Sequence, residues 1–333
     1  MDMFRKMLAT ALLLAFGIAS AEFRIIPQQS GVKVRLRGIS AVSSDVAWAS
    51  GREGTVLRTV DGGKHWQTLK VPGAEALDFR DVEGFDAHSA VILSIGSGEA
   101  SRVYQTEDAG RTWKLTLQNR DPRAFFDCMA FDGNKGWMLG DPVDGRFQVR
   151  VTQDGGGTWK LLADGPKAMK DEAAFAASGT CIAVGGRRVA IATGGGIARS
   201  HVTNAAANGR WFSSNPGRIT KGAPRGFFAI AWSGDDALLV GGDYEKPTAT
   251  GTSATLSGTR LKQRKPPQGY RSGVACANGA LPCIATGPSG TDGWNGKTWN
   301  TISDDGYDAI DLVNGTGWVS GDGGRIARIE IAR

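Results

Sequence analysis

The sequence predicts an all-β fold, a seven-bladed β-propeller built from four-stranded blades. An octapeptide of the form Thr-x-Asp-(Gly/Ala)-Gly-x-x-Trp occurs at Thr59–Trp66, Thr106–Trp113 and Thr152–Trp159, its aspartates Asp61, Asp108 and Asp154 lying 47 and 46 residues apart. Short apolar runs broken by small residues fill each interval, and four strands every ~45 residues is the period of a propeller blade. Glycine, at 48 of 333 residues, is about twice as frequent as the usual ~7% and lacks a Gly-X-Y period. It marks many turns.

The chain opens on an expected export signal over residues 1–21. Arg5 and Lys6 precede the apolar run "MLATALLLAFGIA", and Ala19-Ser20-Ala21 forms an A-x-A cleavage site before Glu22. The run is shorter than the ~20 residues of a membrane span, and no cysteine follows the cleavage point to carry a lipid. The expectation is an exported protein, periplasmic or secreted, with residues 22–333 as one propeller domain and no membrane span.

Within each unit a first strand ("RGISAVS", "FRDVEGFD", "FDCMAFD") leads to a second ending in small residues ("VAWASG", "AVILSIG", "GWMLGD"). A third strand then runs into the Asp-Gly turn, and a fourth carries the tryptophan. Weaker copies follow. "TCIAVGG", "RRVAIATGGG" and "GRWFSS" make a fourth blade; "ALLVGGD" and "TATGTSATLSGTRLKQ" a fifth, with Ser257-Gly258 in place of the Asp-Gly pair. "PCIATGPSG" and "NGKTWNTI" make a sixth. The C-terminal stretch from Gly306 supplies three strands, and "EFRIIPQQ" after the cleavage site is expected to add the fourth, which closes the ring and removes sheet edges. Residues 163–172 and 200–225 read as looser connections.

Each residue type in the repeated turn has a structural reason. An aspartate accepts hydrogen bonds from backbone amides just ahead of it, the glycines (Gly63, Gly110, Gly156) take a positive φ cheaply, and Trp66, Trp113 and Trp159 bury their rings between blades. A catalytic set is needed once, whereas repeated units place equivalent turns on one rim. The octapeptide resembles the Asp box of bacterial neuraminidase repeats. The chain from "LRGISAVSSDVAWASGREGTVLRTVDGGKHW" onward is similar to the photosystem II stability/assembly factor family and its non-photosynthetic bacterial relatives, most specifically in the first three units. The resemblance implies Asp boxes on the outer bottom rim, away from the ligand face, and a non-catalytic factor that engages a protein.

If the Asp turns lie at the bottom, the loops between second and third strands and the starts of the first strands lie at the top. Those segments bring Arg52, Arg80, Asp81, Arg102, Asp127, Asp141, Arg146, Arg187, Asp243, Tyr244, Tyr270, Arg271 and Arg325 to one face. Arginine forks pair bidentately with carboxylate or phosphate, so the face suits a protein segment, an anion or an acidic glycan. Substituting Arg80, Arg102 or Arg271 with Ala is expected to weaken binding without lowering thermal stability.

The alternative is a sialidase-type exo-glycosidase. "FRIIP" at Phe23–Pro27 is close to the sialidase F/Y-R-I-P signature, which supplies an arginine of the substrate-carboxylate triad, but carries one extra Ile. In a strand one extra residue turns Arg24 to the other face, and no tyrosine among Tyr104, Tyr244, Tyr270 and Tyr307 has an evident glutamate partner. "GSGEAS" at 96–101 is not a GxGxxG fingerprint, the three histidines are scattered, and no EF-hand or Cys/His spacing occurs, so no cofactor or metal is expected. The formal charge of +6, or +5 without Asp2, Arg5 and Lys6, comes with no basic helix or RNP motif, and nucleic acid is not an expected partner. In an oxidising compartment Cys276 and Cys283 flank a hairpin loop and are expected to pair, while Cys128 and Cys181 read as buried thiols.

Overall fold

The computed structural model describes residues 22–205, 210–217, 222–277 and 282–332; the expected export signal lies outside them. The described chain is a β-propeller whose sheets surround a central cavity. Leu36–Ala41, Ala47–Gly51, Val56–Thr59 and Gln67–Leu69 pair antiparallel in chain order, from the cavity outward. The same meander recurs over residues 78–118, 126–161 and 273–303. A nine-stranded sheet holds two further meanders, over residues 182–214 and 222–263, together with Glu172–Ala173. They join where Gly194 pairs with Gly226, two backbones so close that a Cβ on Gly194 would lie 2.7 Å from the Gly226 Cα.

The inner strands are short runs of apolar and small residues buried on both faces, Leu36–Ala41 and Ala47–Gly51 almost without a break. In the first sheet Trp48 is wholly buried, its Nε1 donates to the Asp86 carbonyl of the next sheet, and its ring meets Trp113 edge-on at 6.5 Å. Burying a ring of that size contributes on the order of 4 kcal/mol. The ring closes through Glu22–Gln28, which pairs antiparallel with Ile326–Ala332. Gln28 fastens that closure. Its Oε1 accepts from Trp66 Nε1 at 3.1 Å and from Trp318 Nε1 at 3.2 Å, and its Nε2 donates to the Gly62 carbonyl.

The three repeated turns share one hydrogen-bond pattern. Thr59, Thr106 and Thr152 each donate from the hydroxyl to the aspartate Oδ1 and accept the amide of Gly63, Gly110 or Gly156. The aspartate then takes the amide four residues on, that of His65, Thr112 or Thr158. His65 Nδ1 lies 2.6 Å from Asp61 Oδ2, where the other two turns use a threonine hydroxyl. These bonds hold the carboxyls of Asp61 and Asp108 down at about 2, the His65 amide and the Thr112 hydroxyl being the largest causes. Ala109 fits the turn at φ 67° where the other copies have glycine.

Two sequence expectations change. Residues 200–225 are not one loose connection: Arg199–Asn204 and Phe212–Ser214 are strands, and another inner strand starts at Gly222. Cys128 and Cys181 are not free thiols but form a disulfide between neighbouring meanders, alongside the hairpin disulfide Cys276–Cys283. Their separation of 53 residues gave no sequence cue.

Candidate functional site

Four inner strands share an irregularity near one end of the central cavity. Pairing skips a residue after Leu36, Phe79, Phe126 and Phe227, so Arg37, Arg80, Asp127 and Phe228 are bulged. A bulge re-aims a side chain that regular pleating would direct elsewhere. Arg37, Arg80 and Phe228 line a cavity of about 380 Å³ at this end, the mouth, together with Arg35, Arg52, Phe175, Tyr244, Tyr270 and Asp308.

The arginine half of the mouth is unevenly neutralised. Arg35 forms a bidentate pair with Asp308, both distances 2.7 Å, and that hydrogen bonding raises its pKa. Arg80 reaches Asp78 at 3.0 Å and the Ala176 carbonyl at 2.8 Å. Arg52, half-exposed, stands 3.7 Å from the same Asp78. Arg37 is only 8% exposed, makes no ion pair among the described residues, donates weakly to Ala176 O at 3.5 Å, and leaves its Nε without a partner. Burial, and then the Arg80 charge, bring its pKa down to about 10. A buried guanidinium without a counter-charge is costly, and an anion in the mouth would offset that cost.

The floor of the mouth is a single segment, Ala174–Cys181. Phe175, Ala176 and Ala177 face the mouth, whereas Ser178, Gly179 and Thr180 line a second cavity of about 270 Å³ below. Ser178 Oγ donates to the Ser272 carbonyl across the ring, and Gly179, at φ 81°, lies against Asp81 with no room for a Cβ. The segment is anchored at both ends. Cys181 is bonded to Cys128, and Glu172 pairs with Arg199 at 2.5 Å and His201 at 3.1 Å. Burial alone would raise the Glu172 carboxyl; the bonds from His201, Arg199, Met169 and Thr193 outweigh it and hold the group at about 2.

Of the residues expected on this face, Arg52, Arg80, Tyr244 and Tyr270 line the mouth. Others lie at the same end but are spoken for. Asp141 takes the Ala174 amide, whereas Asp81 is not on the expected face: it lines the second cavity, below the floor, with its Oδ2 on the Met129 amide. Asp243 pairs with Arg225 at 2.9 Å. Asp127 is wholly buried, and burial raises its pKa well above the usual range. Arg102 bonds the Glu99 carbonyl and Tyr104 hydroxyl, Arg146 the Gly165 carbonyl, and Arg325 the Asp322 carbonyl beneath an approach to Tyr307.

Two further placements correct the sequence reading. Arg187 sits at φ 64° in the hairpin between the inner strand Ile182–Gly185 and Arg188–Gly195, at the face opposite the mouth. "TCIAVGG" is a first strand, not a second, which reverses the face of the loop after it. Arg271 is 1% exposed and holds Asp292, Ser289 and the carbonyls of Gln268 and Tyr270. It is part of the scaffold, and its loss would lower stability. Arg35 and Arg37 were missed. The signal for Arg37 is the pattern apolar-x-small or acidic shared by Leu36-Arg37-Gly38 and Phe79-Arg80-Asp81 at the start of two inner strands; Arg35, the residue before Leu36, has none.

The glycosidase signature falls elsewhere. Arg24 lies on the outermost closing strand, largely exposed and 3.6 Å from Glu330, and no tyrosine bonds a glutamate among the described residues. The second cavity is acidic: Asp81, Glu83 and Asp311 line it, and burial raises all three, Asp81 to about 8 and Asp311 to about 6.

No family model matches the chain, and no curated protein matches it. Solved structures do. The chain is similar to "YCF48 bound to D1 peptide" at a TM-score of 0.67 and 13% identity, over 95% of this chain and 99% of that one. It is also similar to "YCF48 from Cyanidioschyzon merolae" at a TM-score of 0.60 and 17% identity, over 93% and 99%. At these identities the likeness is one of fold.

Proposed function

We propose that this chain is an exported, non-catalytic binding propeller that holds a protein segment, through an anionic group, at its arginine-lined mouth. The observation that carries the reading is Arg37, a buried guanidinium aimed into the mouth without a carboxylate partner and with an unpaired Nε. Arg35, Arg52 and Arg80 beside it make the site cationic, and forked guanidinium groups select planar oxyanions. The structurally similar YCF48 has been seen bound to a D1 peptide, which supports a peptide as the occupant. In this reading the nine-stranded sheet counts as two blades, giving seven, and the repeated Asp-Gly turns are Asp boxes on the face away from the ligand. Residues 1–21 direct export and leave a single domain.

The test is capture of periplasmic or secreted partners on the immobilised chain, compared with Arg37→Met and Arg80→Met. Loss of the same partners from both variants, with a melting temperature not lowered in Arg37→Met, is expected. A partner retained equally by all three proteins would place the binding surface elsewhere.

A further inference from the structure

The mouth has a second half that arginine chemistry leaves unexplained. Phe175 and Phe228 stack at 3.8 Å with planes 11° apart, and Tyr244 meets both edge-on at 6.4 and 6.1 Å. Tyr270 backs Phe228 at 4.8 Å. Tyr244 is 48% exposed, among the most exposed large apolar side chains described, yet it stands on the rim of a cavity and not on an outer strand. Phe228 reaches the cavity because it is the bulged residue of its strand, in the place where Arg37 and Arg80 bulge from theirs. One device therefore aims a residue into each half.

We propose that Phe175, Phe228 and Tyr244 form a side-chain subsite, so that the segment held in the mouth carries an aromatic or large aliphatic side chain next to its carboxylate. This rests on the arginine half acting as the anion site. The spacing follows from the floor of the mouth: Arg37 and Arg80 both donate to the Ala176 carbonyl, and Phe175 is its chain neighbour. Neighbouring residues have Cα atoms 3.8 Å apart, so anion and apolar group are separated by about one residue of ligand. A cavity of about 380 Å³, near the small end of the ~300–1,000 Å³ range of ligand sites, takes one large side chain with its carboxylate. The occupant is thus a chain end or an unstructured segment.

Fluorescence anisotropy with the full-length chain and four labelled pentapeptides tests this. Gly-Gly-Gly-Ser-Phe as the free acid is expected to bind about tenfold more tightly than Gly-Gly-Gly-Ser-Ala, the equivalent of one partly buried ring. Tyr244→Ala, at an exposed position, and Phe175→Leu should each erase most of that ratio, with melting curves confirming the fold. Gly-Gly-Gly-Ser-Phe amide, which has no carboxylate, should bind weakly. Recovery of tight binding by Gly-Gly-Gly-Glu-Phe amide would assign a side-chain carboxylate, and its absence an α-carboxylate; either supports the pairing. Equal affinity for the Phe and Ala acids overturns the subsite and leaves the anion site standing. A neutral Phe amide that binds as tightly as the acid overturns the pairing. Failure of every peptide overturns both readings.

Discussion

Arg37 and Arg80 donate to one acceptor, the carbonyl oxygen of Ala176, at 3.5 and 2.8 Å. Two like charges converge on a neutral dipole, and Arg37 responds with a pKa lowered to about 10, burial being the larger cause and Arg80 the next. An oxyanion seated between them would supply the missing counter-charge. Sulfate at tens of millimolar is expected to raise the melting temperature of the wild-type chain by a few degrees, through binding to the folded state alone. Sulfate also stabilises proteins by exclusion, so the measurement is the difference from Arg37→Met, in which the added gain should vanish. Identical gains in both proteins would remove the anion from the mouth.

Arg271 and Arg102 separate scaffold from surface. Arg271 is buried with Asp292 at 2.5 Å, whereas Arg102 makes its bonds in partly exposed surroundings. Removing one partner of a buried pair leaves an uncompensated charge and costs about 3–5 kcal/mol; a surface change of this kind costs about 0.5 kcal/mol or less. Chemical denaturation of Arg271→Ala and Arg102→Ala should show that contrast. A small loss for Arg271→Ala would mean that water reaches Asp292.

The repeat made the fold legible, because Asp-Gly turns at a fixed step fix both strand number and the direction of each loop. The site was legible only where that direction held. Arg52 and Arg80 fall in the mouth because the turns of the first units set the direction of their loops, and Tyr244 and Tyr270 because "ALLVGGD" and "PCIATGPSG" are second strands, as read, although their units lack the turn. Arg187 fell on the wrong face because the fourth unit lacks the turn that sets the phase. Arg37 was hidden for another reason: its direction depends on a bulge, and a one-residue slip in pairing reverses a side chain without altering composition. The floor segment Ala174–Cys181 has no counterpart in the repeat, so neither its crossing of the ring nor its disulfide could be read from periodicity.

The acidic lower cavity predicts an unusual pH profile. Asp81, Glu83 and Asp311 have folded pKa values raised by burial, to about 8 for Asp81 and about 6 for Asp311. The folded chain therefore holds protons that the unfolded chain releases near pH 4, and stability falls as pH rises from there through 6 and 8. Asp61, Asp108 and Glu172 act oppositely: their values near 2 give stability above pH 4 to 4.5 that is lost on acidification. Melting temperature should be greatest near pH 4–5. Asp311→Asn keeps an acceptor for the Ala41 amide and should remove on the order of 2 kcal/mol of the fall between pH 4 and 6. An unaltered slope in that variant would show that Asp311 is ionised in the fold.

The two disulfides should differ in consequence. Cys128–Cys181 closes 53 residues and Cys276–Cys283 closes 7, so restriction of the unfolded chain gives about 4 kcal/mol for the first and about 2 kcal/mol for the second. The first also ends the segment that carries Ala176 and Phe175 across the mouth, whereas the second lies in a hairpin bordering the lower cavity. A Cys128→Ala, Cys181→Ala double variant should therefore lose both stability and affinity for the mouth ligand, as the floor gains freedom that binding must then remove. The Cys276→Ala, Cys283→Ala pair should lose some stability and keep its affinity. Denaturant melts and peptide titrations on the two variants measure both effects. Equal affinity losses in the two would show that the floor holds its place without the covalent anchor and that any change reflects stability alone.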